Sequence, residues 1–209
     1  MNLLEELMHR YPTLAPCRPA IETAYRALET SFAAGGKLMV CGNGGSAADA
    51  DHIVGELMKA YLRPRRLSAD AVSRLRTADP VIGPTLADSL QGALPALNLA
   101  AGSALLSAFG NDVKPELAYA QAAWGYGRRG DVLLGISTSG NAANVRAALA
   151  ACRAAGITTI GLTGRTGGKM AGLCDILVAV PADRTFEIQE LHLPVYHCLC
   201  AMVEERFFP

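Results

Sequence analysis

The chain has 209 residues, of which 51% are hydrophobic and 18% charged, so one domain with a buried core is expected and a disordered or fibrous protein is excluded. Lysine and arginine together number 19, as do aspartate and glutamate, which argues against a broad nucleic-acid-binding surface. The first residues carry scattered charges, and no apolar run reaches the roughly 20 residues of a membrane-spanning helix. These features predict a cytoplasmic protein without a signal peptide or membrane segment.

Apolar runs and helical patterns alternate along the chain. An amphipathic helix is predicted over 18–34, where Pro19 suits the first turn and Gly35-Gly36 ends it. Further helices are predicted at 46–60, 115–127, 141–155 and about 186–207. Five strands, most of them apolar on both faces, are predicted at Lys37–Cys41, Leu94–Leu99, Asp131–Ile136, Thr158–Leu162 and Ile176–Val180. The alternation predicts a doubly wound α/β domain, with binding sites beyond the carboxyl ends of its strands.

Residues 63–91 interrupt this alternation. They are too few to hold a core of their own, so we expect one domain over 1–209 that carries an inserted helical segment or lid. The segment contains five arginines, namely Arg63, Arg65, Arg66, Arg74 and Arg76. Such a run usually forms a solvated face, and the alternative is a cover that contacts the substrate.

Two strands are predicted to end in loops suited to an anion. The first loop, Gly42–Ser46, has glycines that let the backbone approach a ligand, but it is neither a P-loop nor GxGxxG. The second loop presents three successive hydroxyls, on Ser137, Thr138 and Ser139, where one helix cap would suffice. Tight connections and caps are the alternatives for each loop alone. Two such loops at one sheet edge predict a phosphate site.

Several motifs, taken together, resemble the phosphoheptose isomerases of the SIS (sugar isomerase) type. They are CGNGGS followed by H-x-x-x-E, then GND, DVLLGISTSGNAANV, GLTGRTGGKMAGLCD and EIQELHLPVYH. The resemblance spans nearly the whole chain except 63–91. It implies a five-stranded parallel sheet with N-terminal helices and a C-terminal helix, and a homotetramer with active sites at subunit interfaces. It also implies conversion of sedoheptulose 7-phosphate to D-glycero-D-manno-heptose 7-phosphate for lipopolysaccharide and related glycans.

The resemblance also implies catalytic and metal-binding roles. His52 and Glu56, four apart on one helix face, match two zinc ligands, and Gln189 and His197 match the other two. Glu56 resembles the base and His197 its acid/base partner in an enediol proton transfer. Because Glu56 cannot be both a tight ligand and a free base, we expect a weak or shifting metal bond. Gln189 and His197 are eight residues apart, about 12 Å along a helix, so sharing one metal needs long reach or a subunit contact.

The matched substrate positions lie in the loops and around the base. They are Asn43, Gly44, Gly45, Ser46, Glu56, Asn111, Asp112, Ser137, Thr138, Ser139 and Gln189. A helix cap is the alternative for Asn111-Asp112, and His192 is expected to be structural. Relatives commonly have Ser where this chain has Ala142 and an acidic residue where it has Phe186, which weakens the assignment to heptose.

Two rival functions remain open at the level of sequence. The bacterial DnaA initiator-associating protein has the same fold and a tail similar to CLCAMVEERFFP, and it acts as a binding platform. That relative lacks counterparts of Glu56 and His197, which favours catalysis here. The other rival is an isomerase of a different sugar phosphate.

Overall fold

Five parallel strands form one sheet at the centre of the structure, a computed structural model that describes residues 2–209. Met1, the first residue of the predicted domain, lies outside the described residues. The strands are β1 (Leu38–Cys41), β2 (Ala96–Asn98), β3 (Val132–Ser137), β4 (Thr158–Thr163) and β5 (Ile176–Ala179). Their order across the sheet is β2-β1-β3-β4-β5, with every pairing parallel. The predicted sheet is confirmed, with strand ends shifted by one or two residues.

Helices cover both faces of this sheet. They are α1 (Leu3–Arg10), α2 (Arg18–Ala33), α3 (Gly45–Met58), α4 (Ala69–Ala78), α5 (Gly83–Ser89), α6 (Ser103–Asp112), α7 (Ala118–Tyr126), α8 (Ala143–Ala154) and α9 (Thr185–Phe207). The predicted helix 115–127 divides into a 3₁₀ turn at Pro115–Leu117 and α7, and α6 was not predicted. Within residues 2–209, no helix combines the length and apolar character needed to cross a bilayer.

Successive strand residues pack into two separate cores. Leu38 and Val40 join the core formed with α1, α2, α3 and α9, whereas Met39 and Cys41 join the core formed with α7 and α8. Side chains alternate between the faces of a strand, so a strand covered on both sides must be apolar throughout. This explains the uninterrupted apolar runs and confirms the doubly wound arrangement.

The segment 63–91 contains α4 and α5, and it is fastened by a buried ion pair. Arg65 Nε lies 2.8 Å from Glu204 Oε1 on α9, and neither side chain is exposed to solvent. Glu204 also accepts hydrogen bonds from the backbone N–H groups of residues 61, 62 and 63. Arg65 in turn donates to the carbonyls of Glu56 and Leu57 at the end of α3. The interpretation of Arg65 as part of a solvated face was wrong, because its partner lies far along the chain.

Electrostatics favour the ionised form of Glu204 despite its burial. Desolvation alone would raise the pKa of its carboxyl group, but the backbone donors of Tyr61 and Leu62 and the guanidinium of Arg65 hold it below its ordinary value. The other four arginines of the run differ from Arg65, since Arg66 is exposed and Arg63, Arg74 and Arg76 pair with acidic side chains at solvent-accessible positions.

Candidate active site

The two glycine- and hydroxyl-rich loops meet at one edge of the sheet. They follow β1 and β3, which are adjacent in the sheet although β2 lies between them in sequence. A strand order of this kind reverses direction between β1 and β3, and the resulting crevice is the usual ligand site of such folds. The amides of Asn43 and Asn144 exchange two hydrogen bonds of 2.9 and 2.8 Å across the crevice. The loops therefore share one cleft.

The first loop depends on two glycines. Gly44 has φ +56°, a conformation that favours glycine, and it precedes α3 directly. A Cβ on Gly45 would collide with the side-chain amide of Gln189 from α9. Asn43 is exposed and Ser46 is buried at the start of the helix. The loop thus packs against α9 while it leaves Asn43 facing the solvent.

The second loop presents free hydroxyl groups. Ser137 is buried and Thr138 half-buried, and neither hydroxyl makes a hydrogen bond within residues 2–209. The Ser139 hydroxyl accepts a 3.2 Å bond from the backbone N–H of Asn141. Ala142 occupies the N-cap of α8 and supplies no side-chain cap. Free hydroxyls beside an uncapped helix start suit an anion such as a phosphate group.

The third part of the site is a cluster of imidazole and carboxylate groups between α3 and α9. His52 Nε2 lies 3.2 Å from Glu56 Oε1 and 3.4 Å from His197 Nε2. The His52 side chain is 42% exposed and that of Glu56 is 13% exposed, so the cluster opens to solvent. The i, i+4 spacing puts His52 and Glu56 on one face of α3, and α9 packs against that face. The structure therefore brings together three of the four predicted metal ligands.

Gln189, the fourth predicted ligand, lies elsewhere. Its amide contacts Gly45, which precedes His52 by seven residues on α3, or about 10 Å of helix rise. Within residues 2–209, no group of three or more His, Cys, Asp or Glu side chains is arranged to hold a metal ion. In one chain, Gln189 thus belongs with the first loop and not with the imidazoles.

Electrostatics prepare the cluster for proton transfer. Partial burial, reinforced by the neighbouring His52 ring, lowers the pKa of His197, so its imidazole is neutral at neutral pH. Lys59 Nζ lies 3.3 Å from Glu56 Oε2. A carboxylate beside a neutral imidazole is an arrangement in which one group removes a proton and the other serves an oxygen.

Asn111 and Asp112 end α6 instead of following a strand directly. Both are exposed, their side chains hydrogen-bond to each other, and no hydrogen bond within residues 2–209 joins them to either loop. The residue that ends β2 is Asn98, whose amide donates to Asp51 on α3. The prediction of a substrate contact at Asn111 and Asp112 stays a prediction.

Several polar residues of the site were missed by the sequence analysis. Tyr119 donates from its hydroxyl to the Gly42 carbonyl and supports the first loop. Asn144 joins the loops, and Tyr196 and Asp49 lie behind His52. The only signal for Asn144 was its place in the motif DVLLGISTSGNAANV, two residues after Ala142. The others act through contacts that join distant parts of the chain.

Comparisons with known proteins agree with this geometry. A family model described as SIS domain matches residues 82–164. The phosphoheptose isomerase of Rhodospirillum rubrum is 41% identical over 92% of this chain and 88% of the relative. The structure of phosphoheptose isomerase GmhA from Neisseria gonorrhoeae matches at 30% identity with a TM-score of 0.70, over 97% of this chain and 99% of that one.

A second solved structure, a phosphoheptose isomerase from Francisella tularensis, matches with a TM-score of 0.73 at 26% identity, over 98% of this chain and all of that one. Identity of 41% to a relative over 92% of this chain and 88% of the relative confirms the resemblance inferred from the motifs. This chain belongs to the phosphoheptose isomerase family.

Proposed function

We propose that this chain interconverts sedoheptulose 7-phosphate and D-glycero-D-manno-heptose 7-phosphate. The observation that carries the proposal is the meeting of Glu56, His52 and His197 beside a cleft formed by two anion-suited loops. The cleft holds the phosphate end of the sugar, and the cluster acts at the carbonyl end. The product supplies heptose for lipopolysaccharide and related glycans, in the cytoplasm.

In the ketose-to-aldose direction, Glu56 takes a proton from C1 and His197 gives a proton to the oxygen on C2. Glu56 then gives its proton to C2 of the resulting enediol, and His197 takes back a proton from the C1 hydroxyl, which becomes the aldehyde oxygen. Each step needs one group that accepts a proton and one that donates a proton, both within hydrogen-bond distance of C1, C2 or their oxygens. The 13% exposure of the Glu56 side chain limits competition from water at the base.

Zinc is the metal proposed for this site. Imidazole nitrogen and carboxylate oxygen are the donors that zinc prefers, and donors that each lie about 2 Å from one tetrahedral ion are separated by about 3.4 Å. The separations of 3.2 and 3.4 Å that His52 makes with Glu56 and His197 are of this size, which supports His52, Glu56 and His197 as proposed ligands with Gln189 as the fourth, although within residues 2–209 the side chains of one chain do not by themselves form a complete metal site. Zinc bound there supplies positive charge that stabilises negative charge on a substrate oxygen.

A homotetramer with active sites at subunit interfaces is also proposed. Large apolar side chains on the surface support it, among them Leu62 at 61% and Trp124 at 59% exposure. Light scattering of the purified chain would then give four times the subunit mass of 21.9 kDa.

The test of the activity is incubation of the protein with sedoheptulose 7-phosphate in D₂O, with and without zinc. We expect aldose formation together with deuterium exchange at C1 or C2. Glu56→Gln is expected to lower kcat by about 10²–10⁴-fold, the usual contribution of a general base. Glu22→Gln, which changes an exposed carboxylate on α2, is the matched control.

Three results would count against the proposal. Full turnover by Glu56→Gln would remove the assignment of the base. Binding of the sugar without turnover or exchange would favour a binding platform, which interaction with DnaA would then support. Turnover of a pentose or hexose phosphate in preference to the heptose would change the substrate.

A further inference from the structure

The second loop offers an anion hydrogen-bond donors but little positive charge. The Ser137 side chain is 7% exposed, and its hydroxyl has no hydrogen-bond partner within residues 2–209. Hydroxyl groups are neutral, and the start of a helix such as α8 contributes only about half an elementary charge. A phosphate monoester carries about −1.5 to −2 charges at neutral pH. A side-chain cation near the start of α8 would complete the site.

Most arginines of the inserted segment are not free to supply this cation, because acidic side chains already neutralise them. The four pairs are Arg63–Glu205, Arg65–Glu204, Arg74–Asp70 and Arg76–Asp88. Arg66, the fifth arginine, is exposed. Within residues 2–209, none of the five donates a hydrogen bond to the second loop. The cation is therefore expected on the body of the domain.

Arg146, the fourth residue of α8, has no such partner. Its side chain is half-buried and makes neither an ion pair nor a hydrogen bond within residues 2–209. Its Nε atom is buried and also lacks a hydrogen-bond partner. A guanidinium has five N–H donors, and a donor buried without a partner is costly and calls for an explanation. A ligand that accepts hydrogen bonds from this guanidinium would satisfy it.

Helix geometry directs Arg146 toward the end of α8 that the second loop precedes. Residues four apart share one helix face, and side chains tilt toward the helix N-terminus, so Arg146 covers the turn that begins at Ala142. Ala142 is the N-cap residue and has no polar side chain, and the first turn of α8 contains no acidic residue that would compete for the guanidinium. The unpaired charge and the unpaired Ser137 hydroxyl therefore lie at the same end of α8.

We propose that Arg146 is a phosphate-binding residue, whose guanidinium donates hydrogen bonds to the phosphate group held between the second loop and the start of α8. The inference deepens the proposed function and rests on it for the identity of the sugar, since it assigns the cation that binds the phosphate of the same substrate. A planar guanidinium can donate two parallel hydrogen bonds to one phosphate group, and the hydroxyls of Ser137 and Thr138 add neutral donors beside it.

Binding of inorganic phosphate alone tests the proposal in the full-length protein, by isothermal titration calorimetry at low ionic strength. Arg146→Met keeps an apolar stem and removes the charge, so Kd for phosphate is expected to rise about 10- to 100-fold, as for the loss of a charge-assisted hydrogen bond. Arg146→Gln, a second neutral variant of different shape, is expected to give a similar rise. Arg146→Lys keeps the charge without the planar fork and should give a smaller one.

Added salt separates a charge effect from a structural one. The difference in Kd between wild type and Arg146→Met is expected to shrink as the salt concentration rises, because salt screens the attraction between the guanidinium and phosphate. A side chain that only supports the fold would give a difference that salt leaves unchanged.

Arg153→Met is the matched control. Arg153 lies in the last turn of the same helix, and its guanidinium donates to the carbonyl of Gly172. Its replacement removes the same charge from the opposite end of α8 and should leave Kd for phosphate near the wild-type value. An unchanged Kd in both neutral variants of Arg146, or an equal rise in Arg153→Met, would overturn the proposal. Phosphate is not turned over, so a protein that binds it through Arg146 without isomerising the heptose would contradict only the proposed activity.

Discussion

The amide pair between Asn43 and Asn144 fixes the separation of the two loops that form the cleft. Asn144→Ala removes both hydrogen bonds, each worth about 0.5–1.5 kcal/mol. We expect KM for the sugar phosphate to rise roughly 5- to 30-fold with a smaller change in kcat, because the loss affects binding in the ground state as much as in the transition state. Initial rates over a range of substrate concentrations measure this.

The control for that variant is Asn141→Ala, three residues earlier in the loop that leads into α8. The Asn141 amide bonds to the carbonyl of Ser139 and the backbone N–H of Lys169, and it makes no hydrogen bond to the first loop within the described part of the chain. A rise in KM that is as large for Asn141→Ala as for Asn144→Ala would show that general loosening of the loop, and not the bridge, sets the affinity.

For individual residues, whether a contact could be predicted from the sequence depends on how far apart its two residues lie along the chain. The proximity of His52 and Glu56 was predictable, because four residues make one helical turn. The contacts of Tyr196 with Asp49 and of Asn43 with Asn144 join positions 147 and 101 residues apart, so no local pattern contains them. The same holds for the separation of Gln189 from the imidazoles, which depends on how α9 packs along α3.

Among the helices, α8 begins with an uncapped turn. Ala142 sits at the N-cap with φ −57° and ψ 118°; the Asn144 amide oxygen accepts from the Val145 N–H, but Ala142 has no side-chain acceptor for the backbone N–H groups that remain free. Ala142→Ser supplies one and is expected to stabilise the fold by about 1 kcal/mol, or about 2–4 °C in Tm for a chain of this size. Thermal unfolding of the ligand-free protein measures the shift.

Ala143→Ser is the paired control, since it adds the same hydroxyl one residue later, where the side chain cannot cap the helix. Equal shifts in Tm for both variants would mean that capping is not the cause. A lower KM in Ala142→Ser as well would indicate that the phosphate uses the same hydroxyl in relatives that carry Ser there.

The positions of the strands along the chain were predictable because the three central strands, β1, β3 and β4, are buried on both faces and so are mainly apolar. The positions of α6 and of the β2 ends were not, since this part of the chain has weaker patterns. Pro95 and Gly102 flank β2, and α6 has no buried residue in the described chain, so its apolar positions give little periodicity. The secondary structure of such segments is determined by tertiary contacts and not by the local sequence pattern.

On the scale of the whole molecule, the buried His192 links stability to pH. It is fully buried, neither ring nitrogen makes a hydrogen bond of normal geometry within residues 2–209, and desolvation lowers its pKa to about 4 despite the nearby Thr163 backbone. The unfolded imidazole takes up a proton below about 6.5, whereas the folded one does so only near 4. The unfolded state therefore binds more protons in that window, and stability falls as the pH drops.

The expected size of this effect is about 3 kcal/mol over the window. His192→Leu removes the titrating group, so its free energy of unfolding should fall less than that of the wild type between pH 6.5 and 4. Urea unfolding at several pH values measures the difference. His9→Leu alters an exposed histidine on α1 and should follow the wild-type curve. Parallel curves for wild type and His192→Leu would contradict the assignment.

The ion pair of Arg65 and Glu204 sets a limit on how the chain can be shortened. The Arg65 guanidinium donates hydrogen bonds to the last carbonyls of α3, and the Glu204 carboxylate accepts hydrogen bonds from the backbone at residues 61–63. A deletion that starts after Arg65 keeps the ion pair. A deletion that starts at Arg63 removes Arg65 and leaves the Glu204 carboxylate buried without its cation, at a cost of several kcal/mol. Changes to the inserted segment therefore leave this anchor intact only from residue 66 onward, because residues 63–65 are fastened to α9 and to the end of α3.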